Sequence, residues 1–278
     1  VIADATNLTM KSRRAIMMKV NVLNIRKVCV IIPKPFEQCK EDNLHREHPV
    51  PDFVLDKQIR KFQIPFKEEG FDEIIIHKFH NVNAMTTGEL IAKMKDFDQK
   101  NPHHTMTLEN HCFNTYDLFT EKEYKAEYNM GAVLHDYGKL YCQTIDENGI
   151  AHYYDHPSVG CYLVLESLME EFNKVVLDIC FLINYHMMPF NWDTDKAKQD
   201  KRLAEQGKAL SESRRFAFFF FFFVFFSLGI FCTLSPHASL YQSPSLVVCH
   251  TTDVNINPHL LTLHIKFHKL CHKLIKFI

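Results

Sequence analysis

Hydrophobic positions in the first eighty residues fall into short bursts instead of a long helical stripe. Val28–Ile32 (VCVII) and Phe71–His77 (FDEIIIH) are β-branched runs, and Pro33 and Pro35 punctuate the end of the first. Unalternated runs of that length suit strands of a parallel sheet covered on both faces. Val1-Ile2-Ala3 reads as the end of another buried strand. Lys11–Lys19, Phe36–Arg46 and Pro51–Phe62 read as helices, with a break at His48-Pro49-Val50-Pro51 and a stop at Pro65. Strands alternating with helices predict an α/β segment over 1–80 with a parallel sheet. From 96 to 212 the pattern changes. Leu108–Phe119, Tyr128–Leu134, Val159–Glu171 and Val175–His186 carry amphipathic or buried helical patterns, which predicts an all-helical bundle.

A third pattern begins at Phe216. Residues 216–234 (FAFFFFFFVFFSLGIFCTL) hold 19 positions without a charge, preceded by Arg214 and Arg215. At a helical rise such a stretch just reaches across a hydrocarbon core of about 30 Å, and the arginines would keep its N-terminal side cytoplasmic. The six-Phe run is also of low complexity. Three readings stand side by side: a membrane-inserting segment, a buried helix, and a segment foreign to the ancestral fold, from a shifted or read-through coding frame. Residues 235–278 form a basic, hydrophobic tail, irregular or amphipathic. His264, His268 and His272 recur there on one helix face, with no carboxylate beside them.

Composition narrows the classes. Lys and Arg total 32 against 33 Asp and Glu, a formal net charge of -1, which argues against a general DNA-coating protein. One acidic residue, Asp253, lies among the 63 positions from Phe216 onward. The 9 Cys are odd in number with no C-x-x-C pair, which excludes a regular disulfide framework, a zinc ribbon and a thioredoxin-type pair. Cys112, Cys142 and Cys161 are expected as small buried apolar groups, and Phe190 and Trp192 as core or pocket wall. Val1–Arg14 lacks a basic start followed by an apolar run, so a cytoplasmic protein is expected, membrane-associated only if 216–234 inserts.

The chemistry concentrates in the middle of the chain. His135-Asp136 sits in GAVLHDYGK (131–139), after the apolar Ala132-Val133-Leu134. Imidazole nitrogen beside carboxylate oxygen suits a divalent cation: Mn, Fe, Ni, Co, Zn or Mg. Upstream stand NPHH (101–104) and His111, and downstream HYYDH (152–156) and NYH (184–186). One His-Asp pair is a weak signal, but the ordered set His111, His135-Asp136, His156, His186 is much stronger. The blander alternatives are specific. His103 and His104 precede a helix and read as capping or surface groups, and Glu109, His152 and Asp155 as exposed polar residues. His156 and His186 stand open between site residues and hydrogen-bonded core histidines.

Two resemblances follow from these residues. DATN (4–7), Arg13-Arg14, Asn43 with Arg46, Val50-Pro51, Pro65 and EGFDEI (69–74) resemble the later half of a polynucleotide-kinase-like P-loop kinase. That implies nucleotide-phosphate contacts at Asp4, Arg13 and Arg46. The phosphate loop G-x-x-x-x-G-K-[ST] is missing: Gly131 and Gly138-Lys139 have the wrong spacing. In the family it would precede Val1, so the resemblance implies a truncated kinase-like segment without kinase activity.

The second resemblance covers 96 to 200. NPHHTMTLENH, HDYGK, AHYYDHPSVG and LINYHMMPF resemble, in that order, the HD-domain metal-dependent phosphohydrolases. The subgroup is the one found behind kinase-like domains and in some tRNA-repair enzymes. The resemblance implies an all-helical HD domain with His111, His135 and Asp136 as metal ligands and a distal Asp completing the set, for which Asp253 is the candidate. It implies a second metal or substrate phosphate at His156 and His186, and a phosphate contact at Lys139. Asp136 would also orient the attacking water, and Lys139, His156 and His186 would stabilise charge or protonate the leaving group. The expected function is hydrolysis of phosphate esters of nucleotides or RNA ends. Two alternatives are a damaged two-domain protein that binds metal without turnover and a membrane-tethered interaction fragment.

Overall fold

A computed structural model describes residues 2–20, 24–77, 84–102, 104, 106–120, 126–168 and 175–187. The Phe-rich segment 216–234, the tail 235–278, Asp253, Phe190 and Trp192 lie outside the described residues.

The first segment opens with α1 (Met10–Val20), β1 (Val28–Ile31), α2 (Phe36–Leu44) and α3 (Asp52–Ile59), and then β2 (Glu73–Ile76). β1 and β2 pair in parallel, Val28 opposite Glu73 through Ile31 opposite Ile76. The helices between them make the crossover that parallel pairing requires. Pro35 and Pro51 stand just before α2 and α3, where a residue without a free N–H costs nothing. Residues 2–3 do not form the expected strand, and Ile2 is exposed. Nothing pairs with them among the described residues, and three residues cannot hold an extended conformation without a neighbour.

The helical part comprises α4 (Thr87–Met94), α5 (Leu108–Thr120), α6 (Ala126–Leu134), the single turn α7 (Lys139–Cys142), α8 (His156–Leu168) and α9 (Val176–Tyr185). α4 begins with a capping box. Thr86 Oγ1 accepts from the Glu89 N–H at 3.3 Å, and the Glu89 carboxylate accepts from the Thr86 N–H at 2.8 Å. A short antiparallel hairpin, β3 (Thr144–Ile145) with β4 (Ala151–His152), interrupts the helices. The region is therefore mixed, and the all-helical expectation is corrected. Asp146 accepts from the Asn148 and Ile150 N–H groups and Gly149 takes a φ of 78°, which closes a turn too tight to continue a helix.

The two segments share one core. Ile31, Ile59, Phe62, Ile64 and Phe66 belong to the same buried cluster as Leu108, Leu134, Leu165, Leu168, Ile179 and Ile183. Each fully buried aliphatic or aromatic side chain contributes roughly 1.5–3 kcal/mol, so the parallel pair is held by what it packs against, since two strands alone are marginal. Polar seams fix the alignment. Buried Asn184 of α9 accepts from the Ile64 N–H at 2.9 Å and donates to the Phe62 carbonyl at 3.1 Å. Tyr185 Oη donates to the Ile64 carbonyl at 3.2 Å. Asn184→Leu keeps the volume but orphans two buried backbone groups. Each costs about 1–3 kcal/mol, so a loss of roughly 3 kcal/mol is expected in denaturant unfolding; a loss under about 1 kcal/mol would show that the seam does not hold the segments together.

Of the three residues to which the first resemblance assigns phosphate contacts, one is engaged inside the fold and two are exposed. Arg13 is buried, in a two-pronged ion pair with Glu69 at 2.7 and 2.8 Å, and it donates to the carbonyls of Asn7, Leu8 and Gln63. Its guanidinium is consumed inside the fold and offers nothing to a phosphate. Asp4 and Arg46 are exposed, and the Arg46 N–H only closes the turn after α2 onto the Asn43 carbonyl.

Candidate metal centre

Four elements end at one point. His111 lies in the first turn of α5, with its N–H on the Thr107 carbonyl. His135 and Asp136 follow the last residue of α6, His156 is the first residue of α8, and His186 follows the last residue of α9. His111, His135, Asp136, His156 and His186 are all buried.

The local backbone explains the aim of three rings. The carbonyls in the last turn of a helix lack intrahelical partners. His135 Nδ1 donates to the Ala132 carbonyl at 2.8 Å and His186 Nδ1 to the Ile183 carbonyl at 2.7 Å, each three residues back. His156 Nδ1 donates to the Tyr153 carbonyl at 2.7 Å. A carbonyl only accepts, so the proton sits on Nδ1, and in the neutral ring Nε2 is the lone-pair atom.

All four Nε2 atoms converge on one carboxylate. His111 and His135 Nε2 are each 3.2 Å from Asp136 Oδ2, and His156 and His186 Nε2 are 3.1 and 3.5 Å from Oδ1. Within each pair the Nε2 atoms are 3.3 and 3.2 Å apart. Neither Asp136 oxygen has a hydrogen bond of proper geometry, although the Lys139 ammonium forms an ion pair with Oδ2 at 2.8 Å. Three of the four Nε2 atoms thus bring lone pairs to an ionised carboxylate, and acceptors facing acceptors inside a protein repel unless a cation stands between them. The residues form two buried sets, His111–His135–Asp136 and Asp136–His156–His186, each able to hold a metal ion and sharing the one carboxylate. Bonds of 2.0–2.1 Å place neighbouring ligands roughly 3.0–3.4 Å apart, close to these separations.

Electrostatics agree. Burial drives the imidazoles of His111, His135 and His186 below their ordinary value, with Asp136 pulling the other way. Burial alone would raise the Asp136 carboxyl. The charge on His135 when protonated, the Lys139 ammonium and the imidazole contacts reverse that and hold it well below the usual carboxylate range. Neutral imidazole and ionised carboxylate are the forms that bind metal.

The same shifts set a pH dependence for the chelator-treated protein. A folded imidazole below its unfolded value means that the unfolded chain takes up protons first, so stability falls as pH drops through about 6.5, by up to about 1.4 kcal/mol per pH unit for each histidine. Asp136, also depressed, adds a loss of the same sign further down, below the ordinary carboxylate range. Thermal melting should fall steadily from about pH 7 to 5; a flat profile would contradict the buried neutral imidazoles.

Sequence reasoning passed over two residues beside the carboxylate. Gln99, almost fully buried, accepts from Lys139 Nζ at 2.8 Å and donates to the Met106 carbonyl at 3.1 Å. His104, read as a cap or surface group, lies with Nε2 3.5 Å from Lys139 Nζ and its ring 5.4 Å from that of His111. Both sit in irregular backbone before α5, where no periodicity marks a facing. His103 lies outside the described residues. His152 pairs with Asp146 at 3.1 Å away from the cluster, Asp155 is exposed with a left-handed φ of 63°, and Glu109 is half-buried. Cys112, Cys142 and Cys161 are buried free thiols. No helix among the described residues is long and apolar enough to cross a membrane.

Compared with protein-family models, with curated proteins and with solved structures, the chain matches none of them.

Proposed function

We propose that this centre is a divalent-metal site that hydrolyses phosphate esters, with nucleotides or RNA ends as the substrate class. The observation that carries the reading is the convergence of four imidazole Nε2 atoms on both oxygens of one buried carboxylate. An ion would be held either by His111, His135 and Asp136 on one side or by Asp136, His156 and His186 on the other. Four imidazoles to one carboxylate favour Mn, Fe, Co, Ni or Zn over Mg.

A bound ion of this kind supplies Lewis acidity and an activated water at neutral pH. The chain's own residues do the rest. The Nδ1–H bonds of His135, His156 and His186 to backbone carbonyls fix ring tilt and tautomer, so little of these three is reorganised on binding. Asp136, ionised throughout, orients a water proton. His156 and His186, placed as ion holders, are poorly set to protonate a leaving group, so neutralising phosphate charge falls to Lys139, the ammonium of the cluster. Burial keeps bulk water out and strengthens each of these interactions. The RNA-end or nucleotide preference is carried only by the resemblance of the first segment to kinases.

The test is hydrolysis of bis-p-nitrophenyl phosphate by the full chain with added Mn²⁺. Turnover that a chelator abolishes, that Mn²⁺ restores, and that falls at least about 1,000-fold in Asp136→Asn supports the reading. Stoichiometric metal with no turnover on aryl, nucleotide or cyclic-phosphate substrates would replace it with metal binding alone.

A further inference from the structure

We infer that Lys139 is a built-in counter-cation that makes the two halves of the centre unequal: one resident divalent ion sits on the Oδ1 side, among His156, His186 and Asp136, and the Lys139 ammonium keeps a second ion off the Oδ2 side. The inference rests on the metal-binding reading above and adds which half is loaded, how many ions the chain keeps, and the residue that decides it.

The two carboxylate oxygens have different neighbours. Among the described residues Oδ1 faces only imidazoles, at 3.1 and 3.5 Å. Oδ2 faces two imidazoles and, closer than either, Lys139 Nζ at 2.8 Å. The ammonium is held there by the chain. Lys139 follows Asp136 by three residues, and its N–H donates to the Asp136 carbonyl at 2.9 Å, so both side chains leave one turn. Gln99 Oε1 accepts from Nζ at 2.8 Å and is pinned through its own amide to Met106. The Tyr153 ring lies beneath at 5.3 Å, with Tyr153 Oη donating to the Gln99 carbonyl. At 3 % exposure, Lys139 cannot swing its charge into solvent without breaking these contacts.

Charge points the same way. Among the described donors one carboxylate balances one ammonium, and the histidines bind as neutral rings. The set is therefore neutral before any ion enters, one dication leaves it with two positive charges, and a second would double that buried excess. A second on Oδ2 would share that oxygen with the ammonium, in surroundings where repulsion is poorly screened. Removing the ammonium frees the Oδ2 set, which already has two imidazoles at ligand spacing. Replacing it with another fixed cation does not.

The experiment is equilibrium dialysis of the full chain against Mn²⁺, with elemental analysis of ions per chain. The natural protein should retain about one ion, Lys139→Met about two, and Lys139→Arg about one, because only the Met variant removes the charge. His156→Ala should weaken the ion of the otherwise natural chain at least about tenfold, while His111→Ala leaves it in place. Two ions in the natural protein, one ion in a folded Lys139→Met, or an ion lost with His111→Ala and kept with His156→Ala would each overturn the inference. If Lys139→Met fails to fold, the two histidine variants and the natural stoichiometry still decide. No ion in any variant would instead remove the metal-binding reading itself.

Discussion

Asp136→Asn is expected to empty the centre and to cost more activity than any single histidine substitution. The amide has the shape of the carboxylate, so the turn after α6 has no steric reason to move. What changes is charge and polarity. Asp136 is the one anion shared by both ligand sets, and each of its oxygens faces two Nε2 atoms. An amide carries no charge to hold a dication, and its NH₂ group would donate to one pair of rings, occupying the lone pairs a metal needs. Removing a histidine deletes one ligand from one set, whereas removing this charge disables both. Retained Mn²⁺ should fall below about 0.1 per chain and phosphodiester hydrolysis at least about 1,000-fold. The substitution also strands Lys139, a buried ammonium whose counter-charge is gone. Losing one member of a buried pair costs about 3–5 kcal/mol, but the imidazole lone pairs and Gln99 take up part of it, so a loss nearer 2 kcal/mol is expected by chemical denaturation. Metal retained at the natural level would mean that Asp136 is a structural counter-ion to Lys139 and not a ligand.

The strands and most helices were legible because their signals are local. VCVII and EIII sit between breakers, and Val175–His186 is apolar enough to announce a buried helix. His135-Asp136 was legible as chemistry because a charged carboxylate beside an imidazole after an apolar run is costly to bury without a purpose. His111, His156 and His186 could be listed but not placed, because nothing in their spacing states that α5, α8 and α9 end together. That information lies in packing over 50 residues and more. The β3–β4 hairpin and α4 are short, and their signals were a turn Asp and a Thr-x-x-Glu box, easily lost beside longer patterns. Arg13 shows the opposite error. An arginine reads the same whether it clamps a phosphate or a buried Glu69, and only the distant partner distinguishes the two. Gln99 and His104 lie in irregular backbone and became visible only through what they touch.

Gly138→Ala is expected to pull the two halves of the centre apart. Gly131 and Gly138 both mark close packing, of different kinds: a methyl at Gly131 would lie 2.7 Å from Leu182 Cδ1, the end of a side chain. A methyl at Gly138 meets backbone instead. It would lie 2.1 Å from the His156 carbonyl oxygen, 2.6 Å from the Gly160 nitrogen and 3.0 Å from the Gly160 Cα, all main-chain atoms of α8. The reverse view agrees, since a methyl at Gly160 would lie 2.8 Å from the Gly138 nitrogen. The turn carrying His135 and Asp136 therefore rests directly on the first turn of α8, and that contact brings His156 within 3.1 Å of Asp136 Oδ1. Making room means moving α8 outward by about an ångström, more than close-packed interiors absorb cheaply. Overpacking of this kind costs about 3 kcal/mol or more. The damage should fall unevenly. His111, His135 and Asp136 Oδ2 do not depend on α8, whereas His156 does. At temperatures where the variant remains folded, the ion on the Oδ1 side should weaken at least about tenfold, since a misplaced ligand is nearly a lost one. Unchanged melting temperature and metal content in Gly138→Ala would show that the backbone contact does not set the width of the centre, and the positioning of His156 would then need another cause.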